Sequence, residues 1–358
     1  MKYSLCDDFL NAKKIVYPMV KYLSSYLDGT KDYAPWSVEI HPTAKCNHRC
    51  IHCSYQERNE SRVEMPKEMF WNLLESLIQM KVHGVYFSGG GEPCTYEGLS
   101  DGIQNLKENG VEVALVTNGT LFERMGLMEV ADCINYIAFS VPSCTEDIYE
   151  KITGRKLMEE VLSLPDKIKK RWGGRAPILG ARVVITNLIA EEVPCILTTL
   201  KKRNFDYALF KIVRDYEDRG LGVSEEMIDK LKIEVQNLKE NGDLDSRFTN
   251  LERIFAYRNP YNPDGICHIN RMGLLAAITP EGDVYPNISE IGHSEFKIGN
   301  LYEQSFEKIW NSEKHKHVKD ISDRQWQSGL CKNCRAISYN LRIQDMVGHL
   351  PCEEDPFI

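Results

Sequence analysis

Cys46, Cys50 and Cys53 form a Cys-x3-Cys-x2-Cys run directly behind the apolar stretch 36–40. Iron–sulfur clusters that only store electrons are held by four cysteine thiolates. No fourth cysteine lies close enough here to complete a local tetrahedron, so the run suits a cubane cluster with one iron left open to a substrate or cofactor. Zinc is the competing reading, with His48 or His52 joining the thiolates. Zinc sites, however, usually pair Cys-x2-4-Cys units across a longer gap, and this is a single compact triplet. Three unrelated buried cysteines is the blandest reading.

A second constellation follows one strand later. Gly89, Gly90 and Gly91 run into Glu92; glycines let a backbone approach a ligand closely, and a carboxylate accepts hydrogen bonds from an ammonium group. Alone, this could equally be a flexible turn with a surface glutamate. Thr117 and Asn118 end the next apolar run, where a polar pair could reach a ligand's hydroxyl or carboxylate groups, although Asn-Gly is also an ordinary turn pair.

Taken together, the triplet and the Gly-Gly-Glu segment resemble the radical S-adenosylmethionine (SAM) superfamily. The resemblance implies that Cys46, Cys50 and Cys53 hold a [4Fe–4S] cluster whose open iron chelates SAM, and that an electron from the cluster cleaves SAM to methionine and a 5′-deoxyadenosyl radical. It implies that Gly90, Gly91 and Glu92 bind the SAM amino group, that Thr117, Asn118 and Ser140 belong to the SAM pocket, and that His52 stands where relatives carry an aromatic residue. Two departures from the family pattern occur. Pro142 and Ser143 replace the usual Asp-Gly after Ser140, and Thr153 stands where many relatives have an arginine, leaving Arg155 as its substitute or as a surface charge. Arg182 and Asn187 are further, weaker candidates.

Three more cysteines lie near the end of the chain. Cys267 precedes a hairpin-like segment with its turn expected at 280–283, and Cys331-Lys-Asn-Cys334 follows. This layout resembles the SPASM or shorter twitch extension of radical SAM enzymes, which implies an auxiliary [4Fe–4S] cluster on Cys267, Cys331 and Cys334. The family's Gly-x4-Cys position is Asn287, so the fourth ligand is left open among Asn287, His268, Cys352, solvent and substrate. A three-cysteine zinc site and a module without metal are the alternatives.

The elements that must position these residues follow from hydrophobic patterning. Short β-branched or aromatic runs at 37–40, 85–88, 112–117, 136–141, 178–186 and 207–213 alternate with amphipathic stretches, the first of them a helix over 67–80 with helical crossovers after it. Six βα units predict an α/β partial (β/α)6 barrel, the fold the resemblance also implies, with chemistry at the carboxyl ends of the strands. The expected division is an N-terminal helical extension (1–35), the barrel (36–215), a linker helix (216–254) and a small α+β auxiliary cluster module (255–358).

The 358 residues carry a formal net charge of −8, which argues against broad binding to nucleic acid or anionic membrane. The basic run at 167–171 reads as a solvated helix face. Twelve cysteines without a signal-like start or a long apolar run predict a cytoplasmic chain with reduced thiols. The expected activity is hydrogen abstraction from a small, carbohydrate- or aminocyclitol-like substrate, ending in dehydrogenation or epimerisation, with Cys94 and Cys144 as candidate hydrogen donors and flavodoxin or ferredoxin as electron donor. A ribosomal-peptide maturase and a non-catalytic metal-binding scaffold are the alternatives. The short stretch before the first strand favours the small molecule.

Overall fold

The computed structural model describes residues 34–213, 215, 218–242, 265–331, 334, 337, 340–341 and 343–344. The expected N-terminal extension, Tyr257, Tyr261 and Cys352 lie outside these residues, Ala34 and Pro35 excepted. Six parallel strands, β1 (Ser37–Ile40), β2 (Gly84–Phe87), β3 (Glu112–Thr117), β4 (Tyr136–Ser140), β5 (Ile178–Ile185) and β6 (Tyr207–Ile212), stand side by side in chain order. Both β1 and β2 carry apolar residues at alternate positions, and burial alternates with them. Val38, Ile40, Val85 and Phe87 face outward into the helical layer, while Glu39 and Tyr86 share the inner face.

The outer layer is what the helical pattern requires. Helix α1 (Gln56–Ser61) follows the cysteine loop, and α2 (Lys67–Gln79) buries Met69, Phe70, Leu73, Leu74 and Leu77. Pro66 caps α2, where its fixed φ and missing N–H cost nothing. Helix α3 (Leu99–Glu108) ends at Asn109, and Gly110 follows with φ +77°. Beyond it come α4 (Glu146–Thr153), α5 (Met158–Trp172) and α6 (Val193–Lys202). The crossover from β3 to β4 departs from expectation: residues 120–130 form successive turns and one short 3-10 turn, Ala131–Cys133, instead of an α-helix. The basic run lies on α5 and is partly neutralised by Lys167–Glu123, Lys169–Asp206 and Arg171–Glu129 ion pairs, as a solvated face would be.

After α7 (Glu225–Glu240), which Ser224 caps through the Met227 N–H, the chain returns to the sheet rather than starting a detached one. Strand β7 (Leu275–Ile278) pairs parallel with β1, and β8 (Asp283–Tyr285) and β9 (Gly299–Asn300) extend it antiparallel, giving the order β6-β5-β4-β3-β2-β1-β7-β8-β9. The barrel is therefore open between β1 and β6. The hairpin turn sits one residue earlier than expected, closed by the Gly282 N–H to the Thr279 carbonyl. Helices α8 (His268–Arg271), α9 (Phe306–Trp310) and α10 (Glu313–Gln327) complete the C-terminal part. Trp326 is buried there as packing.

Candidate active site

The cysteine loop leaves the carboxyl end of β1 and is gripped from three sides. From beneath, Gly91 N–H donates to the Thr43 carbonyl (3.1 Å) and Glu92 N–H to the Lys45 carbonyl (2.8 Å). A Cβ on Gly91 would lie 2.3 Å from the Lys45 carbonyl oxygen, so only glycine permits this approach. From α4, the Thr153 and Ile152 carbonyls accept from the Arg49 and Ile51 N–H groups (3.0 Å each). From beyond β6, Arg219 donates to the carbonyls of Ile51 (3.0 Å) and Cys53 (3.1 Å).

Backbone N–H groups of His48 and Tyr55 point at the sulfurs of Cys46 and Cys53 (3.4 Å each). Such N–H···S bonds stabilise ligating thiolates and tune a cluster. Burial pushes the Cys46 thiol up to about 11 and raises Cys50 and Cys53 as well; repulsion between the sulfurs adds to the rise at Cys46 and Cys50. Burial lowers His48 and His52 to about 4. Three crowded sulfurs that resist ionisation on their own suit a bound cation, whose charge permits deprotonation. Among the described residues no group of three or more His, Cys, Asp or Glu side chains is drawn up as a complete metal-binding set. His52 Nδ1 is buried within this loop without a hydrogen-bond partner among the described residues, an orphan that suits the pocket of a polar cofactor.

Glu92 is 3% exposed and is the hub of the neighbouring loops. Its Oε1 accepts from the Cys94 N–H (3.0 Å) and the Thr117 hydroxyl (2.5 Å), and its Oε2 accepts from the Asn118 N–H (2.7 Å). Burial raises its pKa while these bonds pull it down. The carboxylate thus ties the end of β2 to the end of β3, and the acceptor capacity left on Oε2 is what an ammonium group would use. Asn118 continues the network: its amide donates to Asn47 Oδ1 (2.8 Å), and its oxygen accepts from the Thr120 hydroxyl (2.7 Å). Asn47 also donates to Thr120 (2.8 Å) and its carbonyl accepts from Arg155 Nε (2.8 Å). Arg155 therefore sits against the cysteine loop, and its charge pulls Cys46 down. His41 Nδ1 accepts from the Gly90 N–H (3.2 Å). Asn47, Thr120, His41 and Arg219 escaped the sequence reading because each is an ordinary polar residue outside the motifs; Asn47, within the cysteine run, is the one its position could have flagged.

Of the two candidate thiol donors, one is buried beside Glu92 and the other is oxidised. Cys94 is fully buried in the apolar core. The single Thr117 hydroxyl proton goes to Glu92, so Cys94 donates its S–H to Thr117 Oγ1 (3.1 Å). Cys144 is joined to Cys195 in a disulfide beside α6, correcting both its expected free thiol and the expectation of reduced thiols throughout. A disulfide sulfur has no hydrogen atom to give.

The inner face of the barrel is polar. Ser140 and Arg182 are side by side in register, with Glu39 and Tyr86 paired in the same way. Arg182 crosses to the Tyr86 hydroxyl and also lies over its ring at 5.4 Å. Its Nε and the Tyr207 hydroxyl are buried without hydrogen-bond partners among the described residues. Asn187 turns away and donates to the Gly220 carbonyl (2.8 Å).

In the C-terminal part, Cys267 N–H donates to Asp323 Oδ1 (2.8 Å), which fixes the cysteine at the start of α8 against α10. Burial raises the thiol of Cys267, and pushes that of Cys331 up to about 12; repulsion from Cys334 and from the Glu290 carboxylate acts on both. Cys334 packs against the small apolar cluster that includes Cys267. Asn287 is used by the chain: its oxygen accepts from the Ser289 N–H (2.8 Å) and its amide donates to Asn270 Oδ1 (3.3 Å).

Residues 40–192 match the family model of the radical SAM superfamily, and residues 267–335 match that of the SPASM iron–sulfur cluster-binding domain. The chain belongs to the radical SAM superfamily and carries a SPASM domain; it is an enzyme of that class, binding SAM and a [4Fe–4S] cluster in the barrel and auxiliary iron–sulfur in the C-terminal part. It is 23% identical over 82% of its length to a "Tungsten-containing aldehyde ferredoxin oxidoreductase cofactor-modifying protein" of Pyrococcus furiosus, covering 85% of that protein. Against an "Fe-coproporphyrin III synthase" of Methanosarcina barkeri it is 22% identical, covering 92% of this chain and 89% of the other. Among solved structures it shares its fold with Streptococcus suis SuiB bound to precursor peptide SuiA, at a TM-score of 0.65 and 14% identity over 94% of this chain and 80% of SuiB. It also shares the fold of anSMEcpe with bound AdoMet and a peptide, at 0.62 and 16% over 86% and 88%. Among the described residues no helix is long and apolar enough to cross a membrane.

Proposed function

We propose that this enzyme cleaves SAM reductively at the Cys46–Cys50–Cys53 loop and removes hydrogen from a small polar substrate, hydroxylated like a sugar or aminocyclitol, seated in the barrel lumen. The observation that carries the reading is the gripped three-thiolate loop standing over Gly91 and Glu92 at the carboxyl ends of β1 and β2. When bound, the cluster and SAM supply the 5′-deoxyadenosyl radical. The chain's own residues hold the loop through Gly91, orient Glu92 with Thr117 and Asn118, and set the charge around the sulfurs with Arg155 and Arg219.

The substrate class is supported by the lumen. Tyr86, Ser140, Arg182 and Tyr207 offer hydroxyl and guanidinium groups, two of them with a buried donor that no described residue uses, and a polar substrate would satisfy these where an apolar one would leave them stranded. Dehydrogenation is favoured over epimerisation, because Cys94 is fully buried in the apolar core and Cys144 is bonded to Cys195. The auxiliary cluster would then receive the electron left on the substrate. The functional units of this reading are the barrel (36–215), the helix-bearing linker (216–254) and the cluster module (255–358), with a flavodoxin or ferredoxin as reductant and the cytoplasm as compartment. The peptide-bearing structures SuiB and anSMEcpe support a peptide as the second reading.

Anaerobic reconstitution with iron, sulfide, dithionite and SAM tests the activity. The expected result is 5′-deoxyadenosine; a reconstituted, folded protein that makes none is the non-catalytic scaffold instead. Candidate sugars, aminocyclitols and peptides incubated in deuterated solvent then separate substrate and outcome, since a dehydrogenated product gains no solvent deuterium at the reacting carbon.

A further inference from the structure

His41 is buried, only 1% exposed, and the activity above gives it no part. It follows the last residue of β1, where its backbone N–H donates to the Ile278 carbonyl of β7 (2.9 Å). Pro42 comes next and restricts the backbone on the other side. The ring therefore stands on a fixed stem, and both of its nitrogens are engaged. Nδ1 accepts from the Gly90 N–H (3.2 Å), so the ring proton is on Nε2, which donates to Glu39 Oε1 (3.2 Å). Tyr55 meets the ring edge-on at a centroid separation of 5.6 Å.

What His41 holds is a peptide of the cofactor segment. The N–H groups of Gly90, Gly91 and Glu92 donate in turn to the His41 ring, the Thr43 carbonyl and the Lys45 carbonyl. Three successive N–H groups thus face one stretch of chain, 41–45. Across a trans peptide the carbonyl points opposite to the N–H, so the carbonyls of Gly89, Gly90 and Gly91 are turned away from that stretch. A Cβ on Gly89 would meet the Gly91 carbonyl oxygen at 2.7 Å, so only glycine lets these peptides gather so closely. No described residue donates to the Gly89 carbonyl. Carbonyl oxygens and the Glu92 carboxylate are acceptors, and an ammonium group brings three donors to them. The Gly91 and Glu92 N–H groups are held by backbone, whereas that of Gly90 depends on one side chain.

We propose that His41 is a positioning residue for SAM: its Nδ1 fixes the peptide between Gly89 and Gly90 so that the Gly89 carbonyl faces the SAM ammonium group. This rests on the reading of Gly90, Gly91 and Glu92 as the amino-group site, and adds to it a residue outside the motif. Glu39 acts one step further back, holding the proton on Nε2 and so keeping Nδ1 an acceptor.

The test uses the full chain, reconstituted anaerobically, with His41→Leu, His41→Asn and His41→Gln. Asn carries an acceptor oxygen where Nδ1 stands, Gln carries it one bond further out, and Leu carries none. Affinities for SAM and for 5′-methylthioadenosine are measured by equilibrium dialysis with the cluster oxidised, so that SAM is not cleaved. Methylthioadenosine keeps the nucleoside and sulfur of SAM but lacks its amino and carboxylate groups. Leu and Gln should bind SAM about tenfold more weakly, and Asn within about threefold of the unaltered protein. Methylthioadenosine affinity and iron content should stay the same in all three. An equal loss for both ligands in Leu and Gln, or loss of iron from all three variants, would make His41 a packing residue only. If Leu alone fails to hold iron, Gln against Asn decides. SAM affinity unchanged in Leu and Gln, or weakened as much in Asn as in Gln, would overturn the role of Nδ1. An unaltered protein that binds SAM no better than methylthioadenosine would instead overturn the amino-group reading, and this role with it.

Discussion

At the mouth of the barrel, Cys46, Cys50 and Cys53 belong to one short loop, and the structure only has to hold that loop still, with Gly91 beneath it and Arg219 across it. In the C-terminal part, the proposed donors Cys267 and Cys331 come from the start of α8 and from beyond the end of α10, and Asp323 pins Cys267 to α10. Local spacing builds the first site; tertiary packing builds the second. The first should therefore tolerate damage to the scaffold better than the second, and respond more sharply to changes within its own loop.

The largest effect expected is on chemistry itself. Cys50→Ala should abolish 5′-deoxyadenosine formation, whereas Cys267→Ala should leave SAM cleavage running and lose only substrate turnover, measured by following both products together. Loss of SAM cleavage in Cys267→Ala would mean that the two sites are not separable.

Next is an acid effect on the scaffold of the second site. His315 lies on α10, buried, with Nδ1 donating to the Trp310 carbonyl (2.6 Å), and burial lowers its pKa to about 4, helped by the Lys319 charge. A base with a depressed folded pKa contributes full stability above its unfolded value near 6.5 and loses it as pH falls toward 4. This is on the order of 3 kcal/mol at most. Urea midpoints measured from pH 7 to pH 4 should fall along this window, and His315→Gln should flatten the slope; an unchanged slope would remove His315 from the account.

Gly91→Ala attacks the first site. Because the new Cβ would meet the Lys45 carbonyl oxygen at 2.3 Å, the loops must part, costing about 2 kcal/mol and weakening SAM binding, readable by thermal denaturation and by titration with SAM. Unaltered SAM affinity would break the link between loop contact and cofactor site. The smallest change is Thr117→Val, which removes the hydroxyl between Cys94 and Glu92 at a cost of about 1 kcal/mol. It should lower stability while leaving the auxiliary cluster's iron content unchanged.

Much of this could be read from the residues. The strands at Ser37–Ile40 and Glu112–Thr117 fall where the patterning put them, because alternating apolar residues have one buried face wherever they go. The crossover after β3 was not legible: an apolar stretch of helical appearance settles into turns around Gly126, whose φ of +74° no continuous helix provides. Nor was the pairing of β7 with β1, since the partner of a strand so far along the chain is fixed by where the intervening segments carry it. At the site, Cys46, Gly91 and Glu92 announced themselves by spacing, but spacing gave Glu92 only a ligand and missed that it first binds its own chain.

By itself the sequence determined that Cys46, Cys50 and Cys53 stay together, since one short loop cannot place three thiols far apart. The tertiary structure alone decided what depends on contacts between remote segments: that Cys144 meets Cys195, that Cys94 turns to Thr117, and that Cys267 is held by Asp323. The physical reason is that side-chain chemistry and local spacing are written in neighbouring residues, whereas burial, pairing and desolvation exist only once the chain has closed on itself.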